Sequence, residues 1–284
     1  MKFGSYRNKG KTGFGAIRGD YIVDLTDIAP DLKSFLAAGR PAMESAHAAV
    51  AASNSVISID EVELLPPIPN PGTIWCVGLN THSHFEEVKA ALRLEEKPSK
   101  PILFLRSSAT LVPSGQDLEK PALENAFDYE GEIALIIGKR ARNVSISKAM
   151  DCVAGFAPFN DGSAREYQMS SNQVTAGKNA YRSGGFGPYL VTSDEVDASA
   201  LSLTTRLNGD LVQEMFIEDL IFGFAELVSY ISEFTWLEPG DVIVTGSPAG
   251  IGFTTKNLLK AGDKVEVEVQ GVGTLVNGVR DQEH

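Results

Sequence analysis

Hydrophobic residues along this chain fall mostly into short runs bounded by turn residues, a pattern typical of β-strands. Helical periodicity is seen over 31–38 and 42–53, and over a longer amphipathic stretch, 217–233. Strands and helices do not alternate regularly, which argues against a doubly wound parallel sheet and predicts a β-rich α+β fold. Beyond residue 72 the predicted strands are 73–78, 101–105, 132–138, 153–159, 187–192, 203–208, 241–246 and 264–269.

A proline-rich connector over 64–72 divides the chain into two parts. The first part reads as a small α/β unit, because strand-like segments precede two helical stretches that carry no convergent polar set. The second part contains most of the predicted strands and all of the candidate chemistry. We therefore predict a small N-terminal domain over 1–66 and a catalytic domain over 67–284, built as a mixed β-roll or β-sandwich.

A cluster of carboxylates is the strongest chemical signal in the sequence. Alternation along a strand places Glu130 and Glu132 on one face, roughly 7 Å apart, and Asp161 follows the next predicted strand. A solvated edge strand is the ordinary interpretation of a Glu-x-Glu pair. Here the run 133–137 has no polar residue, which favours a strand covered on both faces.

Buried carboxylates of like charge require a cation, because an unpaired buried charge would otherwise be neutralised by protonation. All three candidate ligands, Glu130, Glu132 and Asp161, offer oxygen atoms. Hard divalent ions prefer such ligands, so the predicted ion is Mg²⁺, or Mn²⁺ as a close substitute.

A second candidate group lies on a predicted helix that begins soon after strand 73–78. His84 and Glu87 are one helical turn apart, so the carboxylate can orient the imidazole and raise its basicity. Such a pair could activate water, although a solvated surface pair is the common alternative. His82 remains open as a metal ligand. The charged residues 93–100 that follow predict a weakly held, mobile lid.

Composition excludes several classes of protein. The formal net charge of -12 argues against nucleic acid or an anionic membrane as partner. No stretch is apolar over the length of a membrane span, and the first residues lack a secretory apolar region, so we expect a cytoplasmic protein. The two cysteines, Cys76 and Cys152, lie in apolar runs and are expected to be buried free thiols.

Taken in order along the chain, these segments resemble the fumarylacetoacetate hydrolase family over about residues 74–279. The motif Gly78-Leu79-Asn80, with His84 and Glu87, resembles the Gly-Leu-Asn-Tyr lid segment and the His/Glu dyad of that family. The remaining matches are Glu130, Glu132 and Asp161 to the three metal carboxylates, 160–165 to the Asn-Asp-Val-Ser-Ala-Arg motif, 177–188 to the lysine segment, and 237–252 to the Leu-x-Pro-Gly-Asp to Thr-Gly-Thr-Pro-x-Gly-Val-Gly stretch.

The chain departs from the family pattern at several positions, some of them in the lid and the lysine loop, which shape the pocket in that family. Thr81 replaces an aromatic tyrosine, Arg106 a lysine and Ser247 a threonine, and 179–185 differs from the usual Lys-Ser-Phe-Asp-Thr-Phe run. None of these departures affects the carboxylates or the dyad. They leave the identity of the substrate open.

The resemblance implies a metal-dependent hydrolase that cleaves a carbon–carbon bond of an anionic 2,4-diketo acid or related 1,3-dicarbonyl compound. A decarboxylase, isomerase or lyase of a 2-oxo acid is the mechanistic alternative, and an inactive metal-binding scaffold is a more remote one. Family membership also implies a homodimer.

The resemblance further assigns roles to several polar residues. Lys178 is implied as a catalytic residue, and Arg165, Gln168, Ser247 and Asn80 as substrate-binding residues. Other interpretations remain open for three of them: Arg165 could instead pair with a metal carboxylate, Lys178 could be a surface lysine, and Ser247 could be a turn residue.

Overall fold

A computed structural model describes residues 1–283 of the 284-residue chain. The N-terminal part contains five strands and two helices. Asp31 precedes the first helix and accepts a hydrogen bond from Ser34 N, which caps its N-terminus. The elements of this part are β1 (Lys2–Asn8), β2 (Lys11–Arg18), β3 (Tyr21–Asp24), α1 (Leu32–Ala38), α2 (Arg40–Ala52), β4 (Ile57–Ser58) and β5 (Glu63–Leu65).

The remainder of the chain contains fifteen strands and six helices. Its strands are β6 (Ile74–Gly78), β7 (Ile102–Arg106), β8 (Leu111–Val112), β9 (Leu118–Lys120), β10 (Phe127–Asp128), β11 (Gly131–Ile137), β12 (Val153–Asn160), β13 (Ser163–Ala164), β14 (Gly184–Phe186), β15 (Leu190–Thr192), β16 (Ser202–Leu207), β17 (Asp210–Phe216), β18 (Val242–Val244), β19 (Lys264–Val269) and β20 (Gly273–Asp281). Its helices are α3 (His82–Leu92), α4 (Ile146–Ala149), α5 (Arg165–Met169), α6 (Thr175–Lys178), α7 (Phe224–Phe234) and α8 (Gly252–Thr255).

The strands form one large and two smaller sheets. Thirteen strands make a mixed sheet whose main path is β4-β3-β2-β1-β15-β12-β11-β18-β6-β7. Five strands form a second sheet in the order β17-β16-β19-β20-β9, and β10 pairs with β13. The prediction of a β-rich α+β fold is confirmed.

Strand β11 lies in the middle of the large sheet and is buried on both faces, as its uninterrupted apolar run indicates. Ile133 and Leu135 belong to a core shared with Leu203 and Val267 of the five-stranded sheet. Ala134 and Ile136 belong to the opposite core, which contains the side chains of α1 and α2. Two covered faces leave the ends of β11 as the places where polar side chains can gather.

The N-terminal strands extend the large sheet. Phe3 of β1 pairs with Leu190 of β15, and Phe3, Phe14 and Phe35 share a core with residues of β11 and β12. The two parts therefore share one sheet and one core. The predicted domain boundary at residue 66 stays a prediction.

The predicted helix over 217–233 is wrong at its start. Residues 217–219 form a 3₁₀ turn, and the helix begins at Phe224 after Gly223, whose N–H donates to Glu226. Leu220 and Ile221 instead pair with the backbone of Thr81 and Asn80 at the start of α3. These tertiary bonds override the helical periodicity and hold the 217–223 segment against the start of α3.

Two expectations from composition can be compared with the fold. Cys76 and Cys152 are both free and buried, as predicted. Among residues 1–283, no helix combines the length and the apolar character required to cross a membrane.

Candidate active site and metal centre

The three predicted metal carboxylates converge because β11 and β12 are antiparallel neighbours. Gly131, the first residue of β11, pairs with Asn160, the last residue of β12. Glu130 and Asp161 therefore meet just beyond the strand ends, where Asp161 N donates to Glu130 O at 2.8 Å. Carboxylate oxygens of Glu130, Glu132 and Asp161 lie within 4.8 Å of one another, and all three residues are buried.

Three buried cationic side chains surround this cluster. Lys178 Nζ lies 2.7 Å from Glu130 Oε2 and 2.5 Å from Asp161 Oδ2. Arg106 Nη1 lies 2.5 Å from Asp161 Oδ1, and Arg165 Nη2 lies 2.6 Å from Glu130 Oε1. Burial by itself would lower the pKa of Lys178, but the Asp161 and Glu130 charges outweigh it and the pKa is raised. These two contacts favour the charged form of Lys178.

Glu132 is the member of the cluster that has no basic partner among the described residues. Its carboxylate accepts a hydrogen bond from Gly246 N. Burial and the neighbouring charges of Asp161 and Glu130 raise the pKa of Glu132 well above its usual range. An added cation would relieve this repulsion.

The donor set fits a hard divalent ion such as Mg²⁺ or Mn²⁺, because it consists of carboxylate oxygens. Glu130, Glu132 and Asp161 would hold the ion. His82 is exposed and contacts Lys97, so the structure gives no support to its alternative role as a ligand.

The predicted dyad is formed on α3. His84 Nδ1 lies 2.9 Å from Glu87 Oε2, and the second oxygen of Glu87 accepts from Gly250 N at 2.9 Å and from Thr254 Oγ1 at 2.5 Å. Burial raises the pKa of Glu87, but these bonds from His84, Thr254 and Gly250 outweigh it and the pKa is lowered. An ionised Glu87 holds the Nδ1–H tautomer of His84, which leaves Nε2 as the basic nitrogen.

Helix α3 is fixed at its start by hydrogen bonds and by apolar packing. Thr81 caps the helix by accepting from His84 N, and its hydroxyl donates to Ser247 O at 2.7 Å. Phe85 and Val88 are buried beneath the helix. The predicted mobile lid stays a prediction; in the structure, this half of α3 is packed through its buried apolar residues.

Asn80 was predicted to bind substrate, and the structure gives it a different position. Its side chain is buried, donates to Thr245 O at 2.7 Å and to Phe222 O at 3.0 Å, and accepts from Phe222 N. The amide is thus engaged with backbone groups and does not line the cavity. It fixes the turn that leads into α3.

Arg165 takes the alternative role that the sequence left open, as the partner of acidic residues at the metal centre. Its Nε and Nη2 atoms both donate to Asp128 Oδ2, at 2.9 and 2.7 Å, in addition to the contact with Glu130. Its Nη1 atom donates to Gln168 Oε1 at 2.9 Å. Most of its donors are therefore used within the protein, and its predicted contact with substrate stays a prediction.

Asp128 and Arg106 complete the site and were not recognised from the sequence as members of it. Asp128 is fully buried and accepts from Gly252 N and Phe253 N, which ties the 247–255 loop to Arg165. Arg106 also donates to Gly162 O and Ser183 Oγ. Asp128 is two residues before Glu130, so strand alternation places it on the same face as Glu130 and Glu132. Arg106 occupies a position where the family has a lysine. These two features of the sequence could have identified Asp128 and Arg106 as site residues.

A cavity of about 670 Å³ contains this chemistry at one end. His84, Glu130, Glu132, Asp161, Arg165 and Lys178 line that end. Gln168 and Ser247 also line the cavity, in agreement with their predicted place. The outer part is formed by the end of α3, by β7 and by residues 171–175. His84, Lys178 and the three predicted metal carboxylates thus line one cavity, while Glu87 contacts His84 from outside the lining.

Replacing Arg106 with Leu is expected to destabilise the protein by about 3–5 kcal/mol, because it leaves Asp161 without this buried partner. Urea unfolding in the presence of EDTA measures the change. The matched control is Arg7→Leu, which breaks the partly exposed pair with Glu63 and should cost no more than about 1 kcal/mol. Equal effects of the two substitutions would contradict this role for Arg106.

Comparison with known proteins gives a consistent family assignment. The family profile described as fumarylacetoacetate (FAA) hydrolase C-terminal matches residues 73–280. The mitochondrial oxaloacetate tautomerase fahd2 of Xenopus laevis is 35% identical over 270 residues, which cover 92% of this chain and 83% of that protein.

Solved structures agree with this assignment. Fumarylacetoacetate hydrolase from psychrophilic Exiguobacterium antarcticum is 30% identical with a TM-score of 0.85, covering 99% of this chain and all of that one. Maleylpyruvate hydrolase from Sphingobium sp. SYK-6, solved with manganese(II) and pyruvate, has a TM-score of 0.84 over the whole of both chains. Its sequence identity to this chain is 24%, so the similarity shows a common fold and nothing more.

Proposed function

The chain belongs to the fumarylacetoacetate hydrolase family, and we propose that it is a divalent-metal-dependent hydrolase that cleaves a carbon–carbon bond of a 2,4-diketo acid. One observation carries the proposal: His84, whose ring is held by Glu87, lines the same cavity as the three carboxylates. A base and an ion site beside one another are what hydrolysis of such a substrate requires.

The proposed reaction adds water across the bond between C3 and C4 of the diketo acid. His84 Nε2 takes a proton from water as the water oxygen attacks the C4 carbonyl carbon. The C3–C4 bond then breaks, and its electron pair remains with the three-carbon 2-oxo acid as its enolate. The imidazolium of His84 returns its proton to C3, which gives the free 2-oxo acid, and the acyl group with the water-derived hydroxyl leaves as a carboxylic acid. Glu87 stabilises the imidazolium that forms on His84.

The chain also provides charges for the developing anion. When bound by Glu130, Glu132 and Asp161, a divalent ion would act as a Lewis acid toward the substrate oxygens. The Lys178 ammonium group lies at the same end of the cavity and adds positive charge there. Ser247 and Gln168 are proposed to contact the substrate, since both line the cavity.

Loss of the diketone absorbance on incubation with acylpyruvates tests the proposal directly. We expect turnover that requires Mg²⁺ or Mn²⁺, stops with EDTA, and yields equal amounts of pyruvate and the corresponding carboxylic acid. Metal-loaded protein that leaves a series of acylpyruvates unchanged would contradict the hydrolase assignment.

Tautomerisation of a 2-oxo acid is the second candidate function, and the relative named oxaloacetate tautomerase favours it. The same base could move a proton between carbon and oxygen without attack by water. The enol absorbance of oxaloacetate, followed beside carbon dioxide release, separates tautomerase from decarboxylase activity. The volume of about 670 Å³ favours a substrate larger than a four-carbon acid, so we place hydrolysis first.

Association as a homodimer is proposed from family membership. Light scattering at micromolar concentration should then give twice the chain mass of 30.4 kDa. A mass equal to that of one chain would contradict it. Location in the cytoplasm also stays a prediction. The Xenopus relative carries the word mitochondrial in its name.

A further inference from the structure

The cavity has two chemically different ends. The three carboxylates, His84 and the basic side chains of Lys178 and Arg165 lie at the inner, buried end. The outer part of the cavity is the part whose lining is exposed or half-buried, and apolar side chains form much of it: Leu92 of α3, Ile102 and Phe104 of β7, Met169 of α5, and Phe253. Phe104 lies at the junction of the two ends, since Lys178 Nζ is 5.3 Å from the centroid of its ring. A substrate that binds the inner end with its 2-oxo acid group therefore extends its other end along an apolar wall.

The basic side chains that line the cavity are all committed to acidic partners. His84 is bound to Glu87, Lys178 to Glu130 and Asp161, and Arg165 to Asp128 and Glu130. The polar residues of the outer part, in 168–175, carry amide and hydroxyl groups without charge. Among the described residues, none that lines the outer part offers a free positive charge to a second carboxylate.

Resting on the proposed function, we infer that the acyl group of the substrate is neutral and apolar, and that the cavity selects against a substrate with a second terminal carboxylate. An apolar chain gains free energy by leaving water for this wall. A terminal carboxylate in the same place loses hydration and finds no cationic partner. The outer wall therefore selects the class of substrate, and the residues at the inner end carry out the reaction.

Binding of unreactive 2-oxo acids tests the inference independently of turnover. The probes are straight-chain 2-oxo monoacids of increasing length and 2-oxo diacids of the same length, titrated calorimetrically into the Mg²⁺-loaded protein. We expect the dissociation constant of the monoacids to fall about four-fold per added methylene until the cavity is filled. The matched diacids should bind at least about ten-fold more weakly than the monoacids. Equal or tighter binding of the diacids, or no binding of either series, would overturn the inference.

A charge placed on the outer wall gives a second test. Leu92 is 42% exposed and is the last residue of α3, where a cation is also compatible with the helix dipole. Leu92→Arg should strengthen diacid binding at least about five-fold and weaken monoacid binding. The neutral control Leu92→Gln should weaken both or neither. A diacid affinity that is the same in both variants would count against the outer wall as the tail site.

The two proposals fail in different ways. If acylpyruvates are not hydrolysed but long monoacids still bind more tightly than diacids, the hydrolase proposal is wrong and the tail inference stands. If acylpyruvates are hydrolysed while diacids bind as well as monoacids, the reverse holds.

Discussion

Replacing Glu132 with Gln is expected to abolish high-affinity binding of Mg²⁺ or Mn²⁺ and, with it, turnover. The substitution keeps the shape of the side chain but removes the one carboxylate of the cluster that has no basic partner among the described residues. The loss of metal affinity should exceed the roughly 10- to 100-fold change seen when an outer partner of a metal ligand is removed. Calorimetric titration with Mn²⁺ measures it.

Stability measurements separate a lost metal site from a lost fold. Without ions, Glu132→Gln should be at least as stable as the wild type, because it relieves repulsion with Glu130 and Asp161. An ion at 100 times its dissociation constant should stabilise the wild type by about 2.7 kcal/mol and the variant by much less. The control Glu44→Gln, on exposed α2, should keep the full gain. Unchanged metal affinity in Glu132→Gln would show that the site is misassigned.

The carboxylate site could be predicted because its signal is local. Alternation along β11 places Glu130 and Glu132 on one face, and the apolar run that follows identifies a strand buried on both sides. The place of Asp161 follows from antiparallel pairing of β11 with β12. The His84–Glu87 pair is equally local, since it depends on the spacing of one helical turn.

The charge balance of the site could not be predicted, because it depends on contacts between residues distant in sequence. Arg106, the last residue of β7, contacts Asp161, which lies 55 residues later in the sequence. Asp128 joins Arg165 to the loop around Gly252. The local sequence pattern does not reveal which carboxylate pairs with which basic side chain. In the structure, Glu132 has no basic partner among the described residues.

The same reason explains why the helix predicted over 217–233 begins later than expected. Ile221 N donates to the backbone oxygen of Asn80, and Phe222 N donates to its side-chain oxygen. These bonds hold the 217–223 segment against the start of α3, and they could be seen only when the two segments were brought together. The predicted contact of Asn80 with substrate stays a prediction.

Replacing His84 with Ala is expected to lower kcat by roughly 10² to 10⁴, the effect of losing a general base. Metal affinity should change little, because His84 is not among the three carboxylate ligands. The neighbouring His82 provides a matched control: it lies on the same helix, is exposed, and does not line the cavity. His82→Ala should therefore retain full turnover. Steady-state kinetics with an acylpyruvate, beside a calorimetric titration with Mn²⁺, gives both quantities.

The partner of His84 sharpens this prediction. Glu87→Gln removes the charge that orients the ring and is expected to lower kcat less than His84→Ala does, since the base itself remains. Because the two residues act as a unit, the double variant should be no slower than His84→Ala alone. If His84→Ala instead hydrolyses the substrate at the wild-type rate, the dyad does not activate water. The nucleophile must then be generated at the metal centre, and the closeness of His84 to that centre would reflect packing of α3 alone.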